Sequence, residues 1–285
     1  MATEVLVSAR TLSPQMLPTA SKAQAREVQR ERVSLGPICV DNIDHSAAVD
    51  RIREFASSGQ PHQIVTVNLD FISIAHRDEA FRDLINEADL AVADGMPLVW
   101  VSRLKGKPLP ERVAGVDLVM ESCRIAAETR AGVFLLGAAE GIAEAAGERL
   151  RDICPGLSIA GTYSPPVGSL DPAEDERIVR MVRAAAPQFL FVALGAPRQD
   201  LWIREHQAEL QVPVAMGVGC VLDLLAGAVH RAPAWMQRSG LEWAFRLAQE
   251  PQRLWRRYLL NDLPMFARLA CAPPAPDAEA VLMPS

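Results

Sequence analysis

Residues 189–200 read Phe-Leu-Phe-Val-Ala-Leu-Gly-Ala-Pro-Arg-Gln-Asp. The apolar run 189–194, closed by a Gly-Ala-Pro turn, has the composition of a strand buried on both faces. Similar short runs recur outward in both directions, at 63–67, 90–93, 132–136, 157–161 and 212–216. Helical spacing fills the intervals at 47–57, 78–87, 116–129, 139–151 and 172–185, the last with Asp171 placed to cap it and Pro172 in its first turn. Alternation of this kind requires crossover connections. It therefore predicts an α/β fold, a parallel-sheet Rossmann-like core with helices on both faces.

Composition narrows the function. A net charge of −6 and a pI near 5.5 argue against bulk nucleic-acid binding, so no nucleic-acid partner is expected. The five cysteines (Cys39, Cys123, Cys154, Cys220, Cys271) are odd in number and form no Cys-x-x-Cys pair, which fits a reducing, cytosolic setting. Residues 1–35 lack the apolar core of a signal peptide and read as a disordered leader, and residues 270–285, rich in Pro and Ala, read as a disordered tail. The longest charge-free apolar stretch, 212–222, is too short to span a bilayer. The expected order is a catalytic α/β domain over 36–229 followed by an appendage over 230–269.

In open parallel sheets ligands bind beyond the carboxyl ends of the strands. Those positions here carry Thr66-Val67-Asn68, Ala93-Asp94-Gly95, Gly137-Ala138-Ala139, Gly195 to Asp200, and Gly217-Val218-Gly219. Asp94 directly follows an apolar strand and precedes a glycine, a place for a general base, though Asp-Gly is also a plain turn dipeptide. Thr66 and Asn68 suit sugar hydroxyls or phosphate oxygens and equally suit helix capping. Gly137, Gly217 and Gly219 could present backbone N–H groups to a diphosphate, or simply let strand and helix approach closely. Asp223 could contact a nucleoside or cap a helix.

Several patterns are missing. No Asp-x-Asp pair, His-Glu-x-x-His pattern, Gly-x-Ser-x-Gly elbow or Gly-Lys-Ser/Thr loop occurs, and the glycines after 216 lack the third member of a dinucleotide fingerprint. No metal and no cofactor are expected, and a nicotinamide-dependent oxidoreductase is disfavoured. The stretch 230–257 is locally basic, with Arg231, Arg238, Arg246, Arg253, Arg256 and Arg257 interleaved with Trp235, Trp243 and Trp255. Such a helical pair could clamp a pyrophosphate or touch anionic lipid headgroups, or carry solvated arginines with no further role.

Taken in order, Thr66-Val67-Asn68, Ala93-Asp94-Gly95, the run from Glu111 to Asp117, the run from Leu194 to Asp200, Gly217-Val218-Gly219, Arg231-Ala232-Pro233 and Leu241-Glu242-Trp243 with the run from Glu250 to Leu254 resemble the WecG/TagA/CpsF glycosyltransferases, family twenty-six. The resemblance covers nearly all of the chain between leader and tail. It implies a GT-E-like fold and inverting, metal-independent transfer from a UDP-sugar to a polyprenyl-diphosphate-linked saccharide at the cytoplasmic membrane face, in exopolysaccharide, capsule or cell-envelope polysaccharide synthesis. By the same resemblance Asp94 is the base and Thr66 and Asn68 line the pocket beside it. Arg112 and Gln199 then lie near sugar and diphosphate, Asp223 contacts the nucleoside, and arginines of a membrane-binding appendage reach the phosphates. A homo-oligomer in solution is also implied. Asp200 and Cys220 depart from the family's usual Glu and Gly. The competing reading is a non-catalytic module that binds nucleotide sugar or a lipid surface.

Overall fold

The structure, a computed structural model, describes residues 30–272 except Val167 and Ser169. The expected leader up to residue 29 and the tail from 273 lie outside the described residues, while residues 270 and 271, assigned above to the tail, are the last of a helix. Residues 32–35, assigned above to the leader, are instead a strand. β1 (Arg32–Leu35) and β2 (Ile38–Asp41) form an antiparallel hairpin turning through Gly36 at φ 72°. Its inner face, Val33, Leu35, Ile38 and Val40, is buried in one core cluster with Leu269 near the end of the described chain. The sequence concealed this strand because four residues behind a charged run carry too little periodicity to read.

After the hairpin come α1 (His45–Ser58), β3 (His62–Val67), α2 (Leu69–Ala75), α3 (Glu79–Glu87), β4 (Leu90–Ala93), α4 (Met96–Leu104) and α5 (Gly115–Thr129). The second half runs β5 (Gly132–Gly137), α6 (Ile142–Ile153), β6 (Ser158–Tyr163), α7 (Pro172–Ala185), β7 (Phe189–Ala193), α8 (Arg198–Leu210), β8 (Val214–Gly217) and α9 (Val221–Leu225). All six strands from β3 to β8 pair in parallel, in the order β4-β3-β8-β7-β5-β6. Every predicted strand is present within a few residues, as is every predicted helix.

Local chemistry starts the helices. Asp44, Asp78 and Asp171 each accept a backbone N–H two or three residues into α1, α3 and α7, and Asn68 accepts from Asp70 and Phe71 at the start of α2. Adjacent residues of β3 serve opposite faces: Ile64 belongs to the cluster under α1, α5 and α6, Val65 to the one under α2, α3 and α4. The order reverses at β3, since β4 lies on one side of it and β5 to β8 on the other. This is the switch point at which such sheets open a crevice.

The chain then leaves the sheet through α10 (Ala234–Arg238), α11 (Glu242–Gln249), α12 (Pro251–Arg256), a π-helical turn (Arg257–Asp262) and α13 (Leu263–Cys271). This appendage returns over the carboxyl edge of the sheet and adds Leu269, Met265 and Phe266 to the core beneath α4. Among the described residues no helix is long and apolar enough to cross a membrane.

Gly137 ends β5 at φ 104°, and a Cβ there would stand 2.5 Å from the Ala193 carbonyl oxygen at the end of β7. Backbone and conformation both exclude a side chain. Gly137→Ala is expected to lower stability by about 2–4 kcal/mol, measured by denaturant unfolding.

Candidate active site

β3 and β4 lie in parallel register with Val67 beside Ala93, so Thr66, Asn68 and Asp94 leave the sheet at one edge. The N-terminus of α5 closes against them. A Cβ on Gly115 would lie 3.2 Å from Thr66 Cγ2 and 3.3 Å from Asp94 Oδ2, while the bare glycine lets its N–H donate to the Asp94 carboxylate. Asp94 keeps an opening to the cavity above it, yet burial dominates its electrostatics and pushes its pKa up to about 7. Arg112, the Gly115 N–H and Arg246 pull the other way, and Glu242 adds to the rise.

Above this carboxylate lies a cavity of about 1000 Å³, at the upper end of the range for ligand sites. Thr66, Asn68, Asp94, Arg112, Gln199, Gly217, Gly219 and Asp223 all line it. Residues from the ends of β3, β4 and β8, from the loop before α5 and from α8 and α9 are thereby brought together. Gly137 does not line it; Ala138 and Ala139 take that place, and Gly137 serves the strand contact described above. Asn68 has its Oδ1 engaged as the cap of α2, with Arg257 Nη2 at 3.4 Å, leaving its amide group as the free donor. Gln199 braces the loop after β8, its Oε1 accepting from Gly219 N at 3.0 Å. A side chain on Gly217 would collide with Asp200 and Gln199, so this glycine permits close approach of α8. Asp223 is half-buried in the first turn of α9, and burial raises its pKa.

The six appendage arginines divide. Arg246, Arg253 and Arg257 line the cavity, whereas Arg231, Arg238 and Arg256 do not. Arg231 forms a two-pronged pair with Asp117 on α5, at 2.6 and 2.9 Å. Burial opposes ionisation of Asp117, but Arg231 outweighs it and holds the carboxyl below its ordinary value. That pair fastens the base of the appendage. Arg238 is exposed, and Arg256 stacks over Trp255 at 5.3 Å. Within the cavity Arg253 pairs with Glu250, and Arg257 with Asp70 at 3.2 Å and Asp262 at 3.8 Å. Arg246 has no ion-pair partner among the described residues and hydrogen-bonds the Cys220 thiol.

Sequence reasoning missed two participants of opposite charge. Glu242, part of the Leu241-Glu242-Trp243 motif, reaches from α11 to Arg112 at 2.5 Å and so joins the appendage to the floor of the site. Arg198 stands on the cavity wall but is occupied by the carbonyls of Leu194 and Gly168. The pairing of Glu242 with a residue 130 positions earlier leaves no local signal. Among the described residues, no three His, Cys, Asp or Glu side chains converge to hold a metal ion.

Comparison with known proteins gives the class to which this fold and its crevice belong, the glycosyltransferases. The family model described as the glycosyl transferase WecG/TagA/CpsF family matches residues 33–275, and the chain belongs to that family. Among curated relatives, the N-acetylglucosaminyldiphosphoundecaprenol N-acetyl-beta-D-mannosaminyltransferase of Staphylococcus aureus (strain MW2) is 33% identical over 237 residues, spanning 82% of this chain and 90% of the relative. The protein of the same description from strain NCTC 8325 / PS 47 matches with the same identity and coverage.

Asp200 lies wholly buried beneath Gly217, and burial pushes its carboxyl up to about 7 against the pull of Gln199 and its own backbone. In the unfolded chain this group ionises near 3.8, so the native state holds the extra proton between the two values. Native stability therefore falls as pH rises through that window and stays reduced above it. Asp200→Asn is expected to raise stability by about 1–4 kcal/mol at pH 8 and to lose that gain towards pH 4, read from urea midpoints at each pH.

Proposed function

We propose that this glycosyltransferase moves a sugar from a UDP-sugar, with inversion and without a metal ion, to a polyprenyl-diphosphate-linked saccharide in exopolysaccharide, capsule or cell-envelope polysaccharide synthesis. Asp94 takes the proton of the acceptor hydroxyl. The oxygen attacks the anomeric carbon, the bond to the donor diphosphate breaks, and its electron pair leaves with UDP. The observation that carries this reading is the Asp94 carboxylate, raised to about 7 by burial, at the floor of the cavity beside Arg112 and Arg246; Asp262, which burial also raises to about 7, lines the same cavity but lies against Arg257 on the appendage. A base of that strength is half ionised near neutral pH, where general-base catalysis is most effective. Arg246, with no carboxylate ion-pair partner among the described residues, meets the charge that develops on the departing diphosphate, with Arg253 beside it. Thr66 and the amide of Asn68 hold the sugar hydroxyls, Gly219, whose missing side chain leaves open space, lets the donor approach the backbone, and Asp223 faces its nucleoside.

The acceptor class is supported by the relatives, whose printed names carry an undecaprenol diphosphate. Peripheral contact with the inner face of the cell membrane is supported by Trp235, Trp255 and Leu260, which are 60%, 41% and 59% exposed on the appendage beside Arg238 and Arg256. Away from a membrane, the same apolar face would be covered by further copies of this chain.

Release of UDP from UDP-sugars, including UDP-N-acetylmannosamine, in chelator and with polyprenyl-diphosphate-linked N-acetylglucosamine, tests the reaction. Acceptor-dependent release is expected from one donor, and Asp94→Asn is expected to cut turnover by roughly 10²–10⁴ with donor binding kept. Full turnover in that variant would remove Asp94 from the role of base. The rate should rise with pH through about 7, as Asp94 ionises. Glu242→Gln withdraws a negative charge beside Asp94 and is expected to move this rising limb to lower pH; an unmoved limb would show that another group titrates.

A further inference from the structure

The cavity is chemically two-sided. Its floor is polar, but the wall made by α4 and the end of the appendage is not. Met96 and Trp100 stand one turn apart on α4, and Leu259, Leu263 and Phe266 follow one another at helical spacing through the π-helical turn into α13. Trp100 and Phe266 meet edge to face at 6.4 Å, closing the trough from both sides. An apolar stripe at this spacing ordinarily faces a core. Here Leu259 and Leu263 remain 48% and 58% exposed although they stand on the cavity wall.

Arg257 marks the boundary between the two regions. Its guanidinium lies by Asp70, Asp262 and the Asn68 amide group, all lining the cavity, and Leu259 begins the apolar stripe two residues later. A fixed cation directly beside an open hydrocarbon trough is complementary to an amphiphile whose phosphate is joined straight to an apolar chain. It is not matched to a nucleotide or a sugar, which are polar along their length. We propose that this trough is a binding subsite for the first isoprene units of the lipid-linked acceptor, with Arg257 on the phosphate nearest the lipid. The assignment rests on the acceptor class proposed above and deepens it: the lipid is recognised inside the cavity and does not act only as a membrane anchor. Trp255 and Leu260, exposed but absent from the cavity wall, belong to the outer face and serve as internal controls.

The test is binding of farnesyl diphosphate, geranyl diphosphate and inorganic diphosphate to the full chain, without vesicles, below the lipids' aggregation threshold and with UDP saturating the donor site. Farnesyl diphosphate is expected to bind at least about tenfold tighter than inorganic diphosphate, with geranyl diphosphate between them, because each buried isoprene adds apolar contact. Leu259→Ser with Leu263→Ser, both at exposed positions, should remove most of that advantage and leave UDP binding unchanged. Leu260→Ser should leave the advantage intact, and Arg257→Gln should weaken all three ligands together. Equal affinity for farnesyl and inorganic diphosphate would overturn the subsite. So would an advantage that survives Leu259→Ser with Leu263→Ser but is lost in Leu260→Ser, since the outer face would then be what binds lipid. Failure of UDP itself to bind, measured separately, would overturn the underlying donor assignment and this proposal with it.

Discussion

Keeping a carboxyl group out of water at the edge of a parallel sheet is the constraint around which this molecule is arranged. Asp94 sits where two apolar strands end, and covering it disfavours its charged form strongly enough to move its ionisation into the neutral range. A buried carboxylate needs compensation, and the Gly115 N–H, Arg112 and Arg246 supply part of it. Glu242 works in the opposite direction and adds to the rise that burial imposes. Two of these four come from the appendage. The strength of the base and the seating of the last helices are therefore one property, since displacing α11 would remove Glu242 and Arg246 together.

The arginines illustrate how pairing decides role. Arg231 lies against Asp117 and fastens the appendage to α5, so its charge is consumed by a contact within the protein. Arg257 is also paired, but with acids that line the same cavity, which fixes its guanidinium in place while leaving it beside the ligand space. Arg246 hydrogen-bonds the Cys220 thiol and has no carboxylate ion-pair partner among the described residues. In a partly buried setting a guanidinium without a carboxylate is the group with most to gain from an incoming phosphate. The Arg112–Glu242 pair lies between these cases, because it closes the floor of the site and ties two distant parts of the chain.

Much of the architecture was readable because both faces of the central strands are covered, so that each appears as an uninterrupted apolar run between glycine or polar turns. Asp171 was recognisable as a cap for the same kind of local reason. The β1–β2 hairpin was not: it is held by packing on β4, α3 and α4 and on Leu269, more than 200 residues away in the chain, and its four-residue strands carry no periodicity of their own. α2, α4 and α8 were likewise obscured, because each begins immediately at a strand-end motif whose residues serve helix and site at once, as Asn68 does for α2.

By itself, then, the sequence determined the α/β class, the edge of the sheet that bears the site, and Asp94 and Thr66 as groups gathered there, since a residue's place after a strand is a matter of local order; Arg112, which follows no strand, was legible only through the family motif. Family membership was legible in the same motifs. Only the tertiary structure decided which of six arginines enter the cavity, that Gly137 serves strand contact, that Gln199 braces the Gly219 loop, and that Glu242 reaches Arg112. The physical reason is that burial, ion pairing and the resulting shifts in ionisation are set by neighbours in space. Here those neighbours come from opposite ends of the chain, where no spacing rule connects them.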